Sequence, residues 1–158
     1  PTWVIFNIGD ARVYLLRDDM LSQVTRDHSR VQILIETGEL TPEQARRDPR
    51  RNVVTRALGG GIADSAVPDL YSVPVSAGDR LLICSDGLSD ELDDEAIATV
   101  LAAGYTAQRT AELLVAASLE GGGHDNTTAV VVDSLQVPTC LPEAPAAAPG
   151  GASAQGAQ

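Results

Sequence analysis

The 158-residue sequence is poor in positive charge, cysteine and histidine. Eleven Lys and Arg residues stand against 22 Asp and Glu residues, which gives a net charge of -11. This balance argues against a nucleic-acid-binding protein, because contacts with backbone phosphates require a surplus of basic side chains. A cation or a basic protein segment is a more suitable partner for such a chain, although a solvated acidic surface explains most of the charge equally well.

The scarce cysteines and histidines exclude two further classes. Cys84 lies in an apolar run and Cys140 in a Pro-rich segment, which does not resemble a disulfide framework, so we expect a reducing, cytoplasmic location. His28 and His124 are far apart and the cysteines have no ligand spacing, which disfavours zinc. No apolar run reaches the length of a membrane span and no signal peptide is visible, although a longer parent protein could carry a membrane tether.

The composition changes near residue 137. Residues 137–158 are rich in Pro, Ala and Gly and low in branched and aromatic side chains, so we expect a disordered tail. Residues 1–136 are expected to form one folded region. Because the chain begins with Pro1 and enters an apolar stretch at once, we also expect it to be a piece of a longer protein.

Short apolar runs with turn residues between them predict antiparallel strands. The runs at 3–8 and 11–17, joined by Gly9 and Asp10, predict a β-hairpin. A β-branched run at 127–132 predicts a buried strand. Further strands are expected at 21–25, 70–75 and 80–84.

Helical spacing and capping residues predict four helices. One covers 31–37, a short one follows Thr41 and Pro42, one runs from Asp93 to about Ala103, and a longer one follows Thr106. Antiparallel strands grouped apart from paired helices indicate a layered α+β fold.

Aspartates beside small residues are the candidates for chemistry. Asp10, Asp86 and Asp125 each follow or precede a predicted strand, and Asp90 lies one helical turn after Asp86. If these carboxylates converge, they form an oxygen-rich site suited to a hard cation such as Mg²⁺ or Mn²⁺. Each one taken singly is explained as well by turn formation, because Asp before Gly or Asn favours turns.

Five blocks of sequence occur in an order typical of one known family. They are N-I-G-D-A-R at 7–12, T-R-D-H-S at 25–29, N-V-V-T-R-A-L-G-G at 52–60, G-D-R-L-L-I-C-S-D-G-L-S-D at 78–90 and G-G-H-D-N-T-T-A-V-V-V at 122–132. Together they resemble the protein phosphatase 2C family, also called the PPM family, and most of all its bacterial serine/threonine phosphatases. The resemblance covers Val4 to about Asp133.

The resemblance implies a fold and a domain organisation. Residues 1–136 would be the C-terminal part of the catalytic domain, with a flap subdomain at about 28–62. The complete domain would be a four-layer αββα sandwich of antiparallel sheets flanked by helices, and its N-terminal strands would be missing from this chain.

The resemblance also implies roles for individual residues. Two or three Mn²⁺ or Mg²⁺ ions would be present in the complete enzyme. Asp86 and Asp125 would bind one ion, and Asp10 with Asp86 and Asp90 would form a weaker site. Ala11 stands where the family usually has serine, with little expected effect on metal binding.

Four other residues are expected beside the ligands or the substrate. Asn126 and Gly87 would orient the ligand loops, although Asn126 is equally well explained as a turn residue. Arg51 and Arg56, in a basic stretch of the flap, would contact the substrate phosphate, although a solvated helix face explains them equally well. His28 is expected to be structural, and His124 is given no role.

The implied function is metal-dependent hydrolysis of phosphoserine and phosphothreonine in proteins by a metal-activated water. Phosphorylated proteins and a serine/threonine kinase would be the partners. The family's first blocks, which carry an acidic ligand, the D-G-x-G-G segment and a phosphate-binding arginine, do not occur in this sequence, so we expect the chain alone to be inactive. Two alternatives remain open: a catalytically silent phosphoprotein-binding or regulatory module, and a half-domain that regains activity with a second polypeptide.

Overall fold

The protein was analysed as a computed structural model that describes residues 1–59 and 67–135. Six strands and five helices lie within these residues. The strands are β1 Thr2–Asn7, β2 Arg12–Arg17, β3 Met20–Gln23, β4 Asp69–Pro74, β5 Arg80–Cys84 and β6 Ala129–Asp133. The helices are α1 Arg30–Glu36, α2 Pro42–Ala45, α3 Asp86–Ser89, α4 Asp94–Ala102 and α5 Ala107–Gly121.

The strands form two antiparallel sheets, which confirms the predicted α+β class. One sheet pairs β1 with β4, and the other has the order β3-β2-β5-β6. The sheets are linked by an apolar cluster in which Trp3, Ile5 and Val73 of the first pack against β2 and β5 of the second. Every second side chain of β1 and of β2 therefore points between the two sheets, where these side chains form an apolar layer.

A second apolar cluster lies on the opposite face of the four-stranded sheet. Tyr14 and Leu82, which are fully buried, point to this face and pack with Leu88, Ile97 and Leu114 from the helices. Consecutive residues of β2 thus serve two different cores, as the two-residue period of a strand requires. The four-stranded sheet packs against the two-stranded sheet on one face and against helices on the other. This packing fixes the C-terminal end of β5, which is followed by Asp86.

The predicted hairpin of the first two strands is wrong. β1 pairs with β4, whereas β2 pairs with β3 and β5. Two alternating apolar strands bury their side chains equally well when they lie face to face in different sheets, so the pattern could not distinguish the two arrangements. Residues 8–11 cross between the sheets, and Gly9 has a positive φ of 104° in this crossing.

The last strand is less buried than expected. β6 pairs only with β5 at the edge of its sheet, and Val130 is 48% exposed. A β-branched run indicates a strand but does not distinguish a central position from an edge position. The predicted tail at 137–158, residue 136 and flap residues 60–62 lie outside the described residues.

The helix ends agree with the capping residues read from the sequence. The side chain of Asp93 accepts a hydrogen bond from the backbone N–H of Ala96 at 2.8 Å, and Thr41 forms a reciprocal capping box with Gln44. Thr106 caps α5 through the N–H of Arg109. Among the residues described, no helix has the length and apolarity needed to cross a membrane.

Candidate metal centre

Three of the predicted aspartates surround one cavity. Asp10, in the crossing between β1 and β2, Asp86, the first residue of α3, and Asp90, at its C-terminal end, line a cavity of about 290 Å³. The backbone N–H of Asp90 donates to the carbonyl of Asp86 at 2.8 Å, so a single helical turn places both carboxylates on the same side. Asp94 also lines this cavity, although its sequence position indicated only a role in the first turn of α4.

The negative charge of Asp86 destabilises the ionised forms of Asp10 and Asp90. The pKa of Asp10 is raised by the loss of hydration and then by the negative charge of Asp86. The pKa of Asp90 is raised for the same two reasons, in the same order. A cation in the cavity would relieve this repulsion, so the electrostatics favour a positively charged ligand.

The fourth predicted ligand, Asp125, does not line the cavity, but its loop contacts α3 directly. A Cβ atom added to Gly87 would lie 2.5 Å from the carbonyl oxygen of Asn126 and 3.4 Å from the carbonyl carbon of Asp125. The hydroxyl of Ser85 donates to the carbonyl of Asn126 at 3.2 Å and accepts from the N–H of Thr128 at 3.0 Å. The loops that carry Asp86 and Asp125 are therefore in contact, and Gly87 is needed for the close approach.

Asp86 and Asp125 share one local geometry. Each accepts, through Oδ1, a hydrogen bond from the backbone N–H of the next residue, Gly87 at 2.9 Å and Asn126 at 2.6 Å respectively. Gly87 and Asn126 thus orient the two carboxylates through backbone groups. Asn126 was expected to orient a ligand loop. Its contact with Asp125 is made by its backbone N–H, which a sequence motif does not reveal.

The oxygen ligands offered by these residues suit a hard cation. Their positions, however, do not form a complete set of ligands around one ion. All four carboxylates offer oxygen, which Mg²⁺ and Mn²⁺ prefer. Within the parts of the chain that the structure describes, however, no three His, Cys, Asp or Glu side chains converge so as to hold an ion. A cation bound here would take its remaining ligands from water, phosphate or other residues.

Arg12 anchors the crossing that carries Asp10. It donates to both oxygens of Asp27, the closest contact being 2.6 Å, and to the hydroxyl of Tyr14 at 3.0 Å. Because Arg12 and Tyr14 are two residues apart on β2, they lie on the same face of the strand. Asp27 lies 15 residues from Arg12 along the chain, so only the folded structure reveals this pair.

His28 holds the same crossing from the other side. It is 2% exposed, and its Nδ1 accepts a hydrogen bond from the N–H of Gly9 at 3.0 Å. Its Nε2 then carries the hydrogen and lies 3.0 Å from Asp69 on β4. His28 therefore fixes the backbone directly before Asp10, which is a structural role.

The two flap arginines predicted to contact substrate differ in position. Arg51 lines the cavity and its positive charge lowers the pKa of Asp90, against the larger effects that raise it. Arg56 does not line the cavity; it binds Asp69 at 2.6 Å and the carbonyl of Val67. The two ends of the predicted flap segment are joined by backbone hydrogen bonds, from the N–H of Thr55 to the carbonyl of His28 and from the N–H of Arg30 to the carbonyl of Val53.

The comparison with known proteins identifies the family. The sequence model of the family described as "Protein phosphatase 2C" matches residues 1–121. The chain is 45% identical to serine/threonine protein phosphatase PstP of Mycobacterium tuberculosis over 129 residues, which are 82% of this chain and 24% of that protein. It is 38% identical to serine/threonine phosphatase Stp of Listeria innocua over 130 residues, which are 82% of this chain and 51% of that protein.

Solved structures show the same fold. A crystal structure of Mycobacterium tuberculosis PstP matches 84% of this chain with a TM-score of 0.76 and 44% identity, and the match covers 55% of that chain. A structure of the PstP catalytic domain with two manganese ions matches 84% of this chain and 53% of its own, with a TM-score of 0.73 and 42% identity. The chain therefore belongs to the protein phosphatase 2C family, and it spans about half the length of these solved structures.

Proposed function

We propose that this chain is part of a metal-dependent phosphatase that hydrolyses phosphoserine and phosphothreonine in proteins. The observation that carries the proposal is the cavity lined by Asp10, Asp86 and Asp90, with Arg51 of the flap on its wall. Carboxylates with raised pKa values favour a cation, and a guanidinium beside them suits a phosphate group. Family membership supports the same chemistry.

The metal would be Mn²⁺ or Mg²⁺. Asp86 and Asp125 would hold one ion, and Asp10 with Asp90 would help to hold another. When bound, such ions neutralise phosphate oxygens and lower the pKa of a water molecule that attacks phosphorus. The protein's own part would be to hold the ligands in place. Gly87 and Asn126 donate backbone hydrogen bonds to Asp86 and Asp125. Arg12 and His28 hold the crossing that carries Asp10 through the contacts described above.

We assign the substrate phosphate to Arg51 rather than to Arg56. Arg51 faces the cavity, whereas Arg56 would have to leave its ion pair with Asp69 in order to reach a phosphate. Arg56 is instead suited to hold the base of the flap against β4. Phosphoproteins would be the substrates, and a serine/threonine kinase that phosphorylates them would be the functional counterpart.

The proposal also covers the activity of the chain alone and its location in the cell. The chain alone would be inactive, because the four carboxylates do not complete an ion site by themselves. Its location would be the cytoplasm, since Cys84 is a free and buried thiol, which suits a reducing compartment.

The test is the substitution Asp86→Asn in the full-length gene product. Asp86 lines the cavity and is a proposed metal ligand, so its loss should lower hydrolysis of an aryl phosphate in Mn²⁺ by at least about 100-fold, more than the loss of an outer group causes. Calorimetry should show weaker Mn²⁺ binding in parallel.

Asp93→Asn is the matched control. It removes one negative charge nearby but keeps the helix cap, because Asn caps as well as Asp, so activity should stay near that of the unchanged protein. Absence of Mn²⁺- or Mg²⁺-dependent hydrolysis in the full-length product, with phosphopeptide binding retained, would contradict the proposal and favour the silent module. Activity that returns only when the 158-residue chain is mixed with a second polypeptide would favour the half-domain.

A further inference from the structure

A pair of side chains joins the two loops that carry the proposed ligands. Oε1 of Glu91 accepts a hydrogen bond from Nδ1 of His124 at 2.7 Å and a second from the backbone N–H of His124 at 3.3 Å. The Glu91 side chain is only 11% exposed, whereas that of His124 is 82% exposed. A largely buried carboxylate thus receives two donors from one residue of the opposite loop.

The glycine run before His124 leaves room for this contact. Gly122 has a φ of 153°, and a Cβ atom there would lie 2.6 Å from Nδ1 of His124 and 2.9 Å from Oε2 of Glu91. A side chain at this position would displace the pair. The local backbone is therefore compatible with the Glu91–His124 contact only when residue 122 is glycine.

The position of the pair gives it a consequence for the site. Glu91 directly follows Asp90, and His124 directly precedes Asp125. The same two loops are also joined where Ser85 and Gly87 meet Asn126. The segment that carries Asp86 and Asp90 is thus attached to the segment that carries Asp125 at two separate points.

We propose that Glu91 and His124 are positioning residues that hold Asp125 at the metal centre. Asp125 is exposed, and its side chain accepts a hydrogen bond from the backbone N–H of its own neighbour, Asn126. Its orientation therefore depends on the loop backbone, which the Glu91–His124 pair attaches to the segment after α3. Groups that fix the orientation of a ligand strengthen metal binding without touching the metal. This inference rests on the proposed function.

The experiment measures Mn²⁺ affinity of the full-length gene product by the electron paramagnetic resonance signal of free Mn²⁺. Glu91→Ala and His124→Ala should each weaken binding about tenfold, the low end for groups that orient a ligand, because His124 is exposed. The double variant should be no weaker than Glu91→Ala alone, since Glu91→Ala already removes both hydrogen bonds between the two residues. His124→Asn should restore most of the affinity, because its side-chain amide places a donor near the position of Nδ1.

Glu112→Ala is the matched control. Glu112 forms an exposed pair with Arg109 on α5, 3.1 Å apart, and lies in neither ligand loop, so its loss should leave Mn²⁺ affinity unchanged. Thermal unfolding of the metal-free protein separates positioning from folding: the His124 variants should unfold within about 2 °C of the unchanged protein, because the His124 side chain is exposed and Glu91 keeps its hydrogen bond from the backbone N–H of residue 124.

The outcomes distinguish this inference from the proposed function. If Asp86→Asn abolishes Mn²⁺ binding while Glu91→Ala and His124→Ala bind normally, the positioning role is wrong and the metal centre stands. Equal loss in His124→Asn and His124→Ala would also overturn it, because the donor would then be irrelevant. If the unchanged protein binds no Mn²⁺, the proposed function fails and the inference fails with it.

Discussion

The pKa values of individual aspartates in this chain are shifted in opposite directions. The direction differs between two candidate ligands, Asp10 and Asp90, and the ion-paired Asp69. Asp10 and Asp90 lose hydration and face the charge of Asp86, so their pKa values are raised. Asp69 accepts hydrogen bonds from His28 and Arg56, so its pKa is lowered. A carboxylate whose charge is unsatisfied by the protein is the one suited to a cation, which is a physical criterion that the sequence motifs do not contain.

Gly87 is a residue whose role depends on space rather than chemistry. Gly87→Ala should destabilise the protein by about 1–3 kcal/mol, the usual effect of forcing an extra carbon into a filled site. The added carbon would lie 2.5 Å from the backbone oxygen of Asn126, and backbone cannot rotate away as a side chain can. Chemical denaturation measures the loss, and Mn²⁺ affinity should fall with it because Asp86 and Asp125 would be pushed apart.

The same substitution at Gly121 provides the control for Gly87. Gly121 is the last residue of α5, and a Cβ atom there would have its nearest contact at 3.4 Å, from Cβ of Glu91. Gly121→Ala should therefore leave stability unchanged or raise it by up to about 1 kcal/mol, since alanine favours the helix. A Gly87→Ala protein as stable as Gly121→Ala would refute the close approach of α3 and the Asp125 loop.

The elements that the sequence predicted well are those determined by local interactions. Thr41 and Thr106 cap the helices for which they were chosen, because a cap satisfies backbone N–H groups only two or three residues away. Asp93, expected in the first turn of α4, is its N-cap. Strand pairing depends on partners far along the chain, such as β1 with β4, and alternation alone does not specify them. The helical turn at Asp86–Ser89 was likewise missed as an element, although its two ends, Asp86 and Asp90, were singled out.

The candidate site shows the same division. Asp10 and Asp86 were identified because they stand beside small residues at strand ends, and Asp90 because it lies one helical turn after Asp86. The structure places all three around one cavity. The contacts that orient them come from residues with no distinctive local pattern. Asp27 reaches Arg12 across 15 residues, and Glu91 meets His124 across 33 residues, so only the folded arrangement reveals these pairs.

The short helix α2 is attached to the metal centre by one side chain. Nη2 of Arg46 donates to the carbonyl oxygens of Ser89 and Leu92, each at 3.1 Å. These carbonyls lie at and after the end of α3, so Arg46 connects the flap with the segment that carries Asp90. A flap held in this way keeps a defined position beside the cavity.

Arg46→Met should loosen the flap while leaving the sheets intact. Methionine keeps most of the apolar stem but cannot donate, so amides of α1 and α2 should exchange with deuterium faster, as measured by mass spectrometry. The expected loss in global stability is only about 1 kcal/mol, because the site is accessible to solvent. Amides of β2 and β5 should exchange at unchanged rates.

Arg47→Met is the matched control for Arg46. Arg47 is the next residue and is exposed, and it lies on the same segment after α2. Its substitution should leave exchange in α1 and α2 unaltered. If both variants exchange alike, the attachment of the flap does not depend on Arg46; if Arg46→Met instead weakens phosphopeptide binding with normal exchange, Arg46 contacts substrate.

On the scale of the whole molecule, the described residues form three layers. Helices α3, α4 and α5 cover one face of the four-stranded sheet, and the two-stranded sheet covers the other. The outer face of the two-stranded sheet exposes Val4, Phe6 and Leu70, each at least 60% accessible. The match covers 55% and 53% of the two solved chains, so the residues of this chain correspond to about half of each.

The connection between the layers depends on a buried carboxylate whose ionisation should make stability pH-dependent. Asp79, 1% exposed, accepts hydrogen bonds from Arg17 of β2 at 2.7 and 2.8 Å and from the backbone N–H of Ser76, and Arg17 also donates to the carbonyl of Pro74 on β4. The hydrogen bond from Arg17 is the main cause that lowers the pKa of Asp79 below 3.8. A carboxylate with a lowered folded-state pKa stabilises the fold at higher pH, and this stabilisation is lost as pH falls through that pKa.

Asp79→Asn should therefore unfold at a lower denaturant concentration than the unchanged protein at pH 7, because Arg17 loses its charged partner inside the fold. The difference between the two proteins should shrink as the pH is lowered below 3.8, where Asp79 of the unfolded chain becomes protonated, and should disappear below the lower pKa of the folded state. Asp19→Asn, at an exposed turn residue with positive φ that asparagine tolerates, controls for the change in net charge and should show little difference at any pH. A difference for Asp79→Asn that stays constant from pH 7 to pH 3 would show that shape rather than charge joins the two sheets at this point, because only the contribution of the ionised carboxylate disappears on protonation.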